Sequence, residues 1–561
     1  MYKKIFILLF LFIVTAPILA NAQTKPYTIM IYMNGSDLES DFGLATDDLA
    51  EIIDSGLRAE NANVLILTGG TKSWQNDAIP ASECIIWQFA DGWINEKKSM
   101  GLVNMGSPET LRDFLRFSIQ NYPADKYGLI MWDHGGGAVA GFGHDEKFGD
   151  DSLSLLEMKQ AFEEAGLRTQ KLEFLGFDAC LMATVEMAVI AADYAHVMIA
   201  SEDLEPGDGW DYTFLSVLNE NPGMCGFCLG QVIVDSFMDF FGLDSDEILT
   251  LSVVDLASVR PVMQTMGALM ARATAEKFAD RANFYKLAKR RSVTKTFGEG
   301  TPRDNYADMV DIGDMVVWLS DLFPVEAAAV LDALENCVVY NRHNSDVELW
   351  GLSSYYVYGG MSIGDESLAT YSTLSMDRDY TQYLHKFLQN LRQRNEGNLP
   401  VVHTELAMIL PAEGEKFHMI GLLQTEVLDD YLWPKINGYP VVLFPINSTK
   451  NSRIYATPAQ INGRDVDIII AFSARHPQGR ILGSREVERV YQKGYDPILA
   501  GDTITLCYQV FCHNMQAQSW ISGEAFAAPV QMSLTWETTP NNAILALRLT
   551  DCCGYVTLRE I

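Results

Sequence analysis

The chain has 561 residues, which is too long for one ordinary hydrophobic core and favours two or three domains. Hydrophobic residues make up 48% and charged residues 20%, a composition that excludes a disordered, collagen-like or coiled-coil chain. With 41 Lys and Arg against 73 Asp and Glu, the net charge is −32, so phosphate backbones and anionic lipids would repel the protein and a nucleic-acid role is not expected.

The N-terminus has the pattern of a secretory signal peptide. Lys3 and Lys4 precede an apolar run over residues 5–18, and Ala20-Asn21-Ala22 then fits an A-x-A cleavage site. We therefore predict a signal peptide over residues 1–22 and an exported chain, periplasmic or extracellular. A membrane anchor is the alternative, and the short run with its cleavage residues disfavours it. No second stretch approaches the length of a membrane span.

From residue 27 to about residue 200, short apolar runs alternate with helical patterns. The runs predict strands over residues 27–33, 63–68, 84–89, 127–132, 172–177 and 197–200. The helical patterns cover residues 41–54, 108–119, 153–165 and 181–192. This alternation predicts an α/β fold with a parallel or mostly parallel sheet covered by helices on both faces.

The rest of the chain has a different character. Long helical patterns dominate residues 224–400, with extra strands expected near 249–254 and 352–357. Strand and turn signals dominate from residue 401, with turns expected at Asn437-Gly438, Asn462-Gly463 and Gly501-Asp502. We therefore predict a core domain over 23–223, a helix-rich extension completing it over 224–400, and an all-β, sandwich-like C-terminal domain over 401–561.

Two segments share one design, a buried strand that ends abruptly in reactive residues. The first strand runs into Asp133 and His134, and the second runs into Asp178 and Cys180. In an open α/β sheet the carboxyl ends of parallel strands form the crevice where ligands bind. A thiol and an imidazole there are the groups of a nucleophile and its acid/base partner. Taken singly, each has a plainer interpretation, a small buried cysteine or a hydrogen-bonded structural histidine.

The neighbours of these two residues favour catalysis. Three glycines follow His134 and leave backbone N–H groups open to a substrate. Cys180 precedes the predicted helix over 181–192, whose N-terminal dipole would favour the thiolate. We therefore predict that Cys180 is a nucleophile and that His134 is its partner.

The same residues carry a family resemblance. Met131-Trp-Asp-His-Gly-Gly-Gly137 and Phe177-Asp-Ala-Cys-Leu-Met-Ala183 resemble the histidine and cysteine blocks of the clostripain family, within the caspase-like cysteine peptidases. Residues 200–212 and 351–356 are also similar to that family, and the resemblance covers about residues 27–360. It implies a caspase-like α/β/α sandwich and cysteine endopeptidase activity, with the β-rich tail outside the peptidase core.

The resemblance also implies roles for individual residues. Cys180 would attack the peptide carbonyl, and His134 would protonate the leaving amine. The backbone N–H groups of Gly135 and Cys180 would stabilise the oxyanion. Adjacent side chains on a strand point to opposite faces, so we expect a Cys/His dyad and a structural role for Asp133.

Cleavage after Arg or Lys, which the resemblance implies, needs a carboxylate in the specificity pocket. Asp178 lies two residues before Cys180 and would face the same side of an extended strand. Asp208 lies in a Pro-Gly-Asp-Gly-Trp turn that could present it to the pocket. Alternatively, Asp178 caps the next helix and Asp208 is an ordinary turn residue. Three nearby acids compete for the role: Glu202, Asp203 and Glu205.

A glycine-rich loop over residues 141–152 joins the strand of His134 to the next helix, and Lys147 is its only Lys or Arg. We predict self-cleavage between Lys147 and Phe148, as in a zymogen. In the uncut chain this loop would cover the pocket, with Lys147 near Asp178 and Asp208, so that cutting activates. The alternative is a surface loop that is never cut.

Metals and cysteines give weaker signals. Cys225 and Cys228 form a C-x-x-C pair without further zinc ligands nearby, which favours a buried or disulfide-bonded pair. The proposed chemistry requires no cofactor. Members of the resembled family often use calcium, and the acidic stretches 145–151 and 202–211 could supply oxygen ligands, although neither forms an EF-hand-like loop.

Two other classes of function stay open at this point. One is a non-catalytic binding protein on the caspase-like scaffold, which loss of the Cys/His pair would have indicated. The other is a cysteine hydrolase or transpeptidase with non-basic specificity, which neutral residues at positions 178 and 208 would have indicated. The expected partners are peptide or protein substrates with Arg or Lys before the cut.

Overall fold

The structure is a computed structural model, and it describes most of the chain after the predicted signal peptide. The described residues are 24–242, 245–278, 281–291, 294–298, 307–358, 364–395, 432–441, 443–487, 493–511, 518–532, 534–538, 544–545 and 559–560.

The first part of the chain alternates strands and helices as predicted. Its elements are β1 Lys25–Asn34, α1 Ser36–Ser40, α2 Leu44–Asp54, β2 Ala62–Gly69, β3 Cys84–Ala90, β4 Trp93–Gly101, α3 Pro108–Asn121, β5 Ala124–Trp132, α4 Gly137–Ala140, β6 Phe142–Asp145, β7 Asp151–Leu153, α5 Leu155–Ala165, β8 Leu172–Asp178, α6 Val185–Ala191 and β9 Ala195–Ala200. A 3₁₀ helix follows over Tyr212–Asn219.

The middle part is mainly helical and adds strands to the same sheet. Its elements are α7 Gly226–Phe241, β10 Thr250–Asp255, α8 Val259–Lys277, α9 Arg281–Arg291, β11 Thr296–Phe297, β12 Met309–Asp311, α10 Ile312–Leu319, α11 Pro324–Cys337, β13 Val338–His343, β14 Ser353–Tyr355, α12 Gly364–Thr373 and α13 Arg378–Asn395.

One nine-stranded sheet organises both of these parts. Its order is β13-β10-β9-β8-β5-β1-β2-β3-β4. The five inner strands from β9 to β2 pair in parallel, and the strands outside them pair antiparallel. The predicted caspase-like α/β fold with a mostly parallel central sheet is therefore confirmed.

Continuous apolar strands explain why this sheet is covered on both faces. Along β1, Met30 and Tyr32 belong to one buried cluster, whereas Ile29 and Ile31 belong to another on the opposite face. Successive side chains of a strand point to opposite faces, so each inner strand supplies both cores. One face is packed by helices that include α3, α5 and α8, and the other by α2 and α7.

The sequence places one helix start correctly and another wrongly. Ser107 caps α3 by accepting a hydrogen bond from the Glu109 N–H, with Pro108 in the first turn, as expected. By contrast α6 begins at Val185 instead of residue 181, and Thr184 is its N-cap. The chain between β8 and α6 is an irregular turn in which Leu181 has a φ of 62°.

The described C-terminal part is all β, as predicted, and we call residues 432–560, as far as described, the β domain. Its strands are β15 Leu432–Ile436, β16 Tyr439–Pro440, β17 Phe444–Ser448, β18 Ser452–Ile461, β19 Arg464–Ser473, β20 Arg480–Glu486, β21 Thr503–Phe511, β22 Gln518–Ala527, β23 Leu534–Thr538, β24 Ile544–Leu545 and β25 Arg559–Glu560. The sequence also has a strand-like pattern over residues 543–549, which lies mostly outside the described residues.

The β domain packs two antiparallel sheets together and also touches the rest of the protein. Ile436 and Leu534 of the three-stranded sheet share a core with Ile468 of the six-stranded sheet. The other face of the larger sheet packs around Ile469 and Ile248, the latter from the loop before β10. The larger sheet is therefore buried on both faces. One of these faces forms an interface with residues 24–395 as far as described, which we call the α/β part.

Cys225 and Cys228 form a disulfide, as the C-x-x-C spacing suggested. Cys84, Cys180 and Cys337 are free and buried, and Cys507 is also buried. Within the described residues, no helix has the length and apolar character needed to cross a membrane.

Candidate active site

The carboxyl ends of the parallel strands bring the predicted reactive residues together. Trp132 at the end of β5 pairs in register with Asp178 at the end of β8, so His134 and Cys180 both follow two positions later. Gly135 lies directly against Cys180, because a Cβ added to Gly135 would stand 1.9 Å from the Cys180 carbonyl oxygen. His134, Gly135 and Cys180 therefore form one site.

The imidazole of His134 is held from both sides. Its Nε2 lies 2.9 Å from Asp37 Oδ1, and its Nδ1 accepts a hydrogen bond of 3.0 Å from the backbone N–H of Lys493. The ring of His144 stacks on it with centroids 5.1 Å apart, and His144 Nε2 lies 3.1 Å from the same Asp37 oxygen. Asp37 thus joins two histidines.

The sequence patterns did not identify Asp37 as a residue of the site. It follows β1, a parallel strand next to β5, so its position at a strand end was the signal that could have identified it. Burial lowers the pKa of His144, but the hydrogen bond to Asp37 and the charge of Asp133 outweigh this and raise the pKa to about 9. His144 is therefore protonated at neutral pH.

Asp133 is fully buried and does not contact the imidazole ring of His134. Its carboxylate accepts hydrogen bonds from Ser36 Oγ at 2.7 Å, from Asn34 Nδ2 at 2.6 Å, and from the N–H groups of His134 and His144. Burial raises the pKa of Asp133, while these hydrogen bonds and the histidine charges lower it. Asp133 thus ties together the loops after β1 and β5.

The thiol of Cys180 is fully buried and accepts a hydrogen bond of 3.1 Å from the Glu205 N–H. Burial raises the pKa of Cys180 to about 12, so the thiol is protonated at neutral pH in this state. The expected help from a helix dipole at Cys180 is wrong, because α6 begins only at Val185 and Cys180 lies in the turn before it.

Asp178 forms the base of a pocket that already contains a cation. Its Oδ1 pairs with Lys493 Nζ, and its Oδ2 accepts hydrogen bonds from Tyr212 Oη at 3.1 Å and from the Trp210 N–H at 3.3 Å. Glu205 Oε2 lies 3.8 Å from Lys493 Nζ. The side chains of all three charged residues have no solvent exposure.

Two further residues shape this pocket. Lys493 Nζ lies 5.6 Å from the centroid of the Trp132 ring, within the range of a cation–π contact. A Cβ added to Gly209 would stand 2.6 Å from both Lys493 Nζ and Asp178 Oδ1. The pocket therefore accommodates an ammonium group only because residue 209 has no side chain.

The second acid of the pocket is Glu205 and not Asp208. Asp208 is exposed in its turn, and the described acids paired with Lys493 are Asp178 and Glu205. The alternative in which Asp178 caps the next helix is also wrong, because Thr184 performs that role. The sequence could not separate Glu205 from Asp208, because both lie in one irregular loop after β9.

Lys147 does not occupy the pocket. It lies in the turn between β6 and β7, where its backbone N–H donates to Asp145 Oδ1 at 2.9 Å, and Phe148 beside it is 40% exposed. The predicted contact of the uncut loop with Asp178 is therefore wrong, since Lys493 holds that carboxylate. Cleavage after Lys147 stays a prediction.

Among the described residues, one group of three metal-binding side chains has its donor atoms within 4.8 Å of one another, namely Asp37, His134 and His144. Two imidazoles suit zinc-like ions better than calcium. In the two acidic stretches, Asp145 accepts a hydrogen bond from the Met105 N–H, and Asp203 accepts one from Asn447 Nδ2. Calcium binding by these stretches stays a prediction.

Comparison with known proteins identifies the family of this chain. The family model described as "Clostripain family" matches residues 31–395. A clostripain from Hathewaya histolytica is 35% identical over 127 residues, an alignment that covers 19% of this chain and only 23% of that relative's length.

Solved structures include two similar C11 proteases. A secreted C11 cysteine protease from Bacteroides thetaiotaomicron, bound to an irreversible peptide inhibitor, is 15% identical with a TM-score of 0.47, covering 63% of this chain and 100% of that one. An inactive zymogen C11 protease from Parabacteroides distasonis is 21% identical with a TM-score of 0.48, covering 64% and 98%. Because the family model matches more than half of its length, this chain belongs to the clostripain family.

Proposed function

We propose that this protein is an exported cysteine endopeptidase that cleaves peptide bonds after Arg or Lys, with Cys180 as the nucleophile and His134 as the acid/base. One observation carries the specificity: Asp178 and Glu205 hold the fully buried ammonium of Lys493, a residue whose backbone N–H donates to His134 Nδ1. A buried cation site rejects neutral side chains strongly, because they would leave its carboxylates unpaired.

The proposed reaction uses the groups at the strand ends. His134 first takes the proton of the Cys180 thiol, and the resulting thiolate attacks the carbonyl carbon. The backbone N–H groups of Gly135 and Cys180 stabilise the oxyanion. Collapse of the tetrahedral intermediate breaks the C–N bond while His134 gives a proton to the leaving amine. Water, deprotonated by His134, then hydrolyses the thioester.

Asp37 has a positioning role in this scheme. Its carboxylate fixes the imidazole of His134 through Nε2 and leaves Nδ1 facing the position where the Lys493 N–H now lies. A buried carboxylate also stabilises the imidazolium that forms during proton transfer. The proposed machinery is therefore a Cys/His dyad whose histidine is oriented by Asp37, with Asp133 supporting the loops.

A peptide panel that differs only in the residue before the scissile bond tests the specificity. We expect Arg and Lys peptides to be cleaved with kcat/KM on the order of 100-fold above Gln or Met peptides. Cys180→Ala should abolish cleavage, whereas Cys507→Ala, which removes another buried thiol, should not. Equal cleavage of neutral peptides would favour the hydrolase of non-basic specificity. Absence of hydrolysis both by wild type and by Lys493→Ala, in which the pocket no longer contains the Lys493 ammonium, would favour the binding protein.

Self-cleavage between Lys147 and Phe148 is also part of the proposal. The bond lies in a turn with an exposed Phe148, and the flanking strands β6 and β7 pair with each other, so the two products would stay together. N-terminal sequencing of wild type beside Cys180→Ala should reveal a new terminus at Phe148 in wild type only. A fully active wild type that remains uncut at this bond would contradict the proposal.

A further inference from the structure

Lys493 of the β domain occupies the pocket of the α/β part, which contains Asp178 and Glu205. The side chain of Lys493 is 0% exposed, and its ammonium pairs with Asp178 and Glu205. Burial alone would lower the pKa of Lys493, but the two carboxylates raise it above its usual value, so the side chain stays charged. Lysine is rarely buried completely unless it is paired in this way.

The backbone around Lys493 also occupies the reacting centre. The Lys493 N–H donates to His134 Nδ1 at 3.0 Å, and the Gly494 N–H donates to the Glu205 carbonyl at 3.3 Å. The imidazole nitrogen that a substrate would need is therefore already engaged. This segment, Lys493 and Gly494, therefore blocks both the pocket and the general acid His134.

The register of this segment does not suit its own cleavage. A cut after Lys493 would release the amine of Gly494, so His134 would have to protonate the nitrogen of Gly494. Instead His134 faces the nitrogen of Lys493, one residue earlier, and the Gly494 nitrogen lies on Glu205. The segment thus resembles a substrate in its side chain but not in the position of its backbone.

The β domain holds the segment in place from several directions. Ser484 of β20 and Asp496 exchange two backbone hydrogen bonds of 2.9 and 2.8 Å just after the segment. Asn447 Nδ2 donates to Asp203 Oδ2 at 2.6 Å, and Ser452 Oγ donates to Asp246 Oδ1 at 2.5 Å. Lys493 is therefore presented by a docked domain and not by an isolated loop.

We propose that the β domain is an intramolecular inhibitor of the peptidase site, with Lys493 occupying the specificity pocket as a substrate-like plug. This inference rests on the proposed preference for Lys or Arg. The inhibited chain becomes active when the segment around Lys493 leaves the pocket, whether or not the bond after Lys147 is cut.

Full-length Lys493→Ala and Lys493→Gln test this proposal against wild type. Two initial rates are measured while mass spectrometry confirms an intact chain: hydrolysis of a Lys peptide, and alkylation of Cys180 by iodoacetamide. Both rates should rise at least about tenfold in the variants, because the fraction of open sites increases. Lys450→Ala, an exposed lysine of the same domain, is the matched control and should behave as wild type.

The two measurements separate this proposal from the proposed function. Increased alkylation without hydrolysis of any Arg or Lys peptide supports the plug and contradicts the specificity. Unchanged alkylation and hydrolysis in both folded variants overturn the plug while leaving the specificity intact. Circular dichroism confirms folding, and if Lys493→Ala is unfolded the decision rests on Lys493→Gln, which keeps a polar side chain of similar length.

Discussion

Two groups of buried carboxylates flank the Cys180–His134 pair, and they are satisfied in different ways. On the histidine side, Asp37 and Asp133 bind residues between positions 34 and 144 of the same sheet edge. On the pocket side, Asp178 and Glu205 bind an ammonium group that arrives from residue 493.

The two groups of carboxylates differ in where their partners come from. We infer that the partners on the histidine side are fixed and that the cation on the pocket side is exchangeable. Buried carboxylates are costly unless they are paired, so both groups need partners. The histidine side finds its partners within the fold and can hold the imidazole in one orientation. The pocket side is completed by the Lys493 ammonium from the β domain, and under the proposed function the Lys or Arg side chain of a substrate takes its place.

The largest expected effect comes from removing the pocket charge. Asp178→Asn should lower kcat/KM for Lys and Arg peptides by on the order of 100-fold, because a buried cation loses a charged partner. The measurement is made in the Lys493→Ala chain, so that the plug does not mask it. Asp208→Asn, an exposed acid of the neighbouring loop, should change kcat/KM by less than about twofold. A larger effect of Asp208→Asn would make Asp208 an acid of the specificity pocket.

Removing charge on the histidine side should act on kcat. Asp37→Asn should lower kcat by on the order of tenfold or more with little change in KM, because the imidazolium loses its counter-charge. The pH dependence of kcat should shift as well, which a merely structural residue would not cause. Asp37→Glu should recover part of the activity. A rise in KM with unchanged kcat would place Asp37 in substrate binding instead.

Reducing the space in the pocket should have an intermediate effect on KM. In the Lys493→Ala chain, Gly209→Ala should raise KM for Lys peptides about tenfold, because the new Cβ would overlap the ammonium position. Gly209 has a φ of 65°, so backbone strain must be separated from the lost space. Gly56→Ala is the matched control, since it has a φ of 70° with no heavy atom near its Cβ. Equal effects of both variants would assign the loss to strain.

The smallest expected effect is on stability. The pKa of His144 is about 9 in the folded protein and about 6.5 unfolded, so its stabilisation is complete below pH 6.5 and is lost as pH rises through 9. His144→Gln should therefore lower the unfolding free energy at pH 6 by about 1–3 kcal/mol and by less at pH 10. Thermal unfolding at both pH values measures this, with the exposed His476→Gln as control. A pH-independent loss would contradict the charged pair.

The sequence predicts the sheet of this protein well, and the site only in part. Strand ends follow from apolar runs, so the positions of His134 and Cys180 were accessible, and the Asn-Gly turns at 437 and 462 have the positive φ values such turns need. The start of α6 was not accessible, because Leu181 and Met182 continue the apolar pattern of a helix although the backbone turns at Leu181.

Contacts between distant parts of the chain explain the remaining errors. Lys493 lies 315 positions from Asp178, and nothing in the local pattern around Lys493 indicates a pocket. Lys147 is nearer than Lys493 to Asp178 along the chain. This proximity in sequence wrongly favoured Lys147 as the lysine that contacts Asp178. Asp37 was missed although it follows β1, a parallel strand whose end lies at the same edge of the sheet as that of β5.

The covalent tether of Lys493 has a consequence for how any substrate gains access. A tethered group acts at an effective concentration on the order of millimolar, however dilute the protein is. A free peptide must compete against that concentration, so the plug raises the apparent KM of every substrate by one common factor and leaves kcat unchanged. Long or multiply charged substrates that also bind beyond the pocket have the lowest KM to begin with, so they still bind after this increase. Short peptides that bind weakly do not, and the tether therefore selects substrates by affinity.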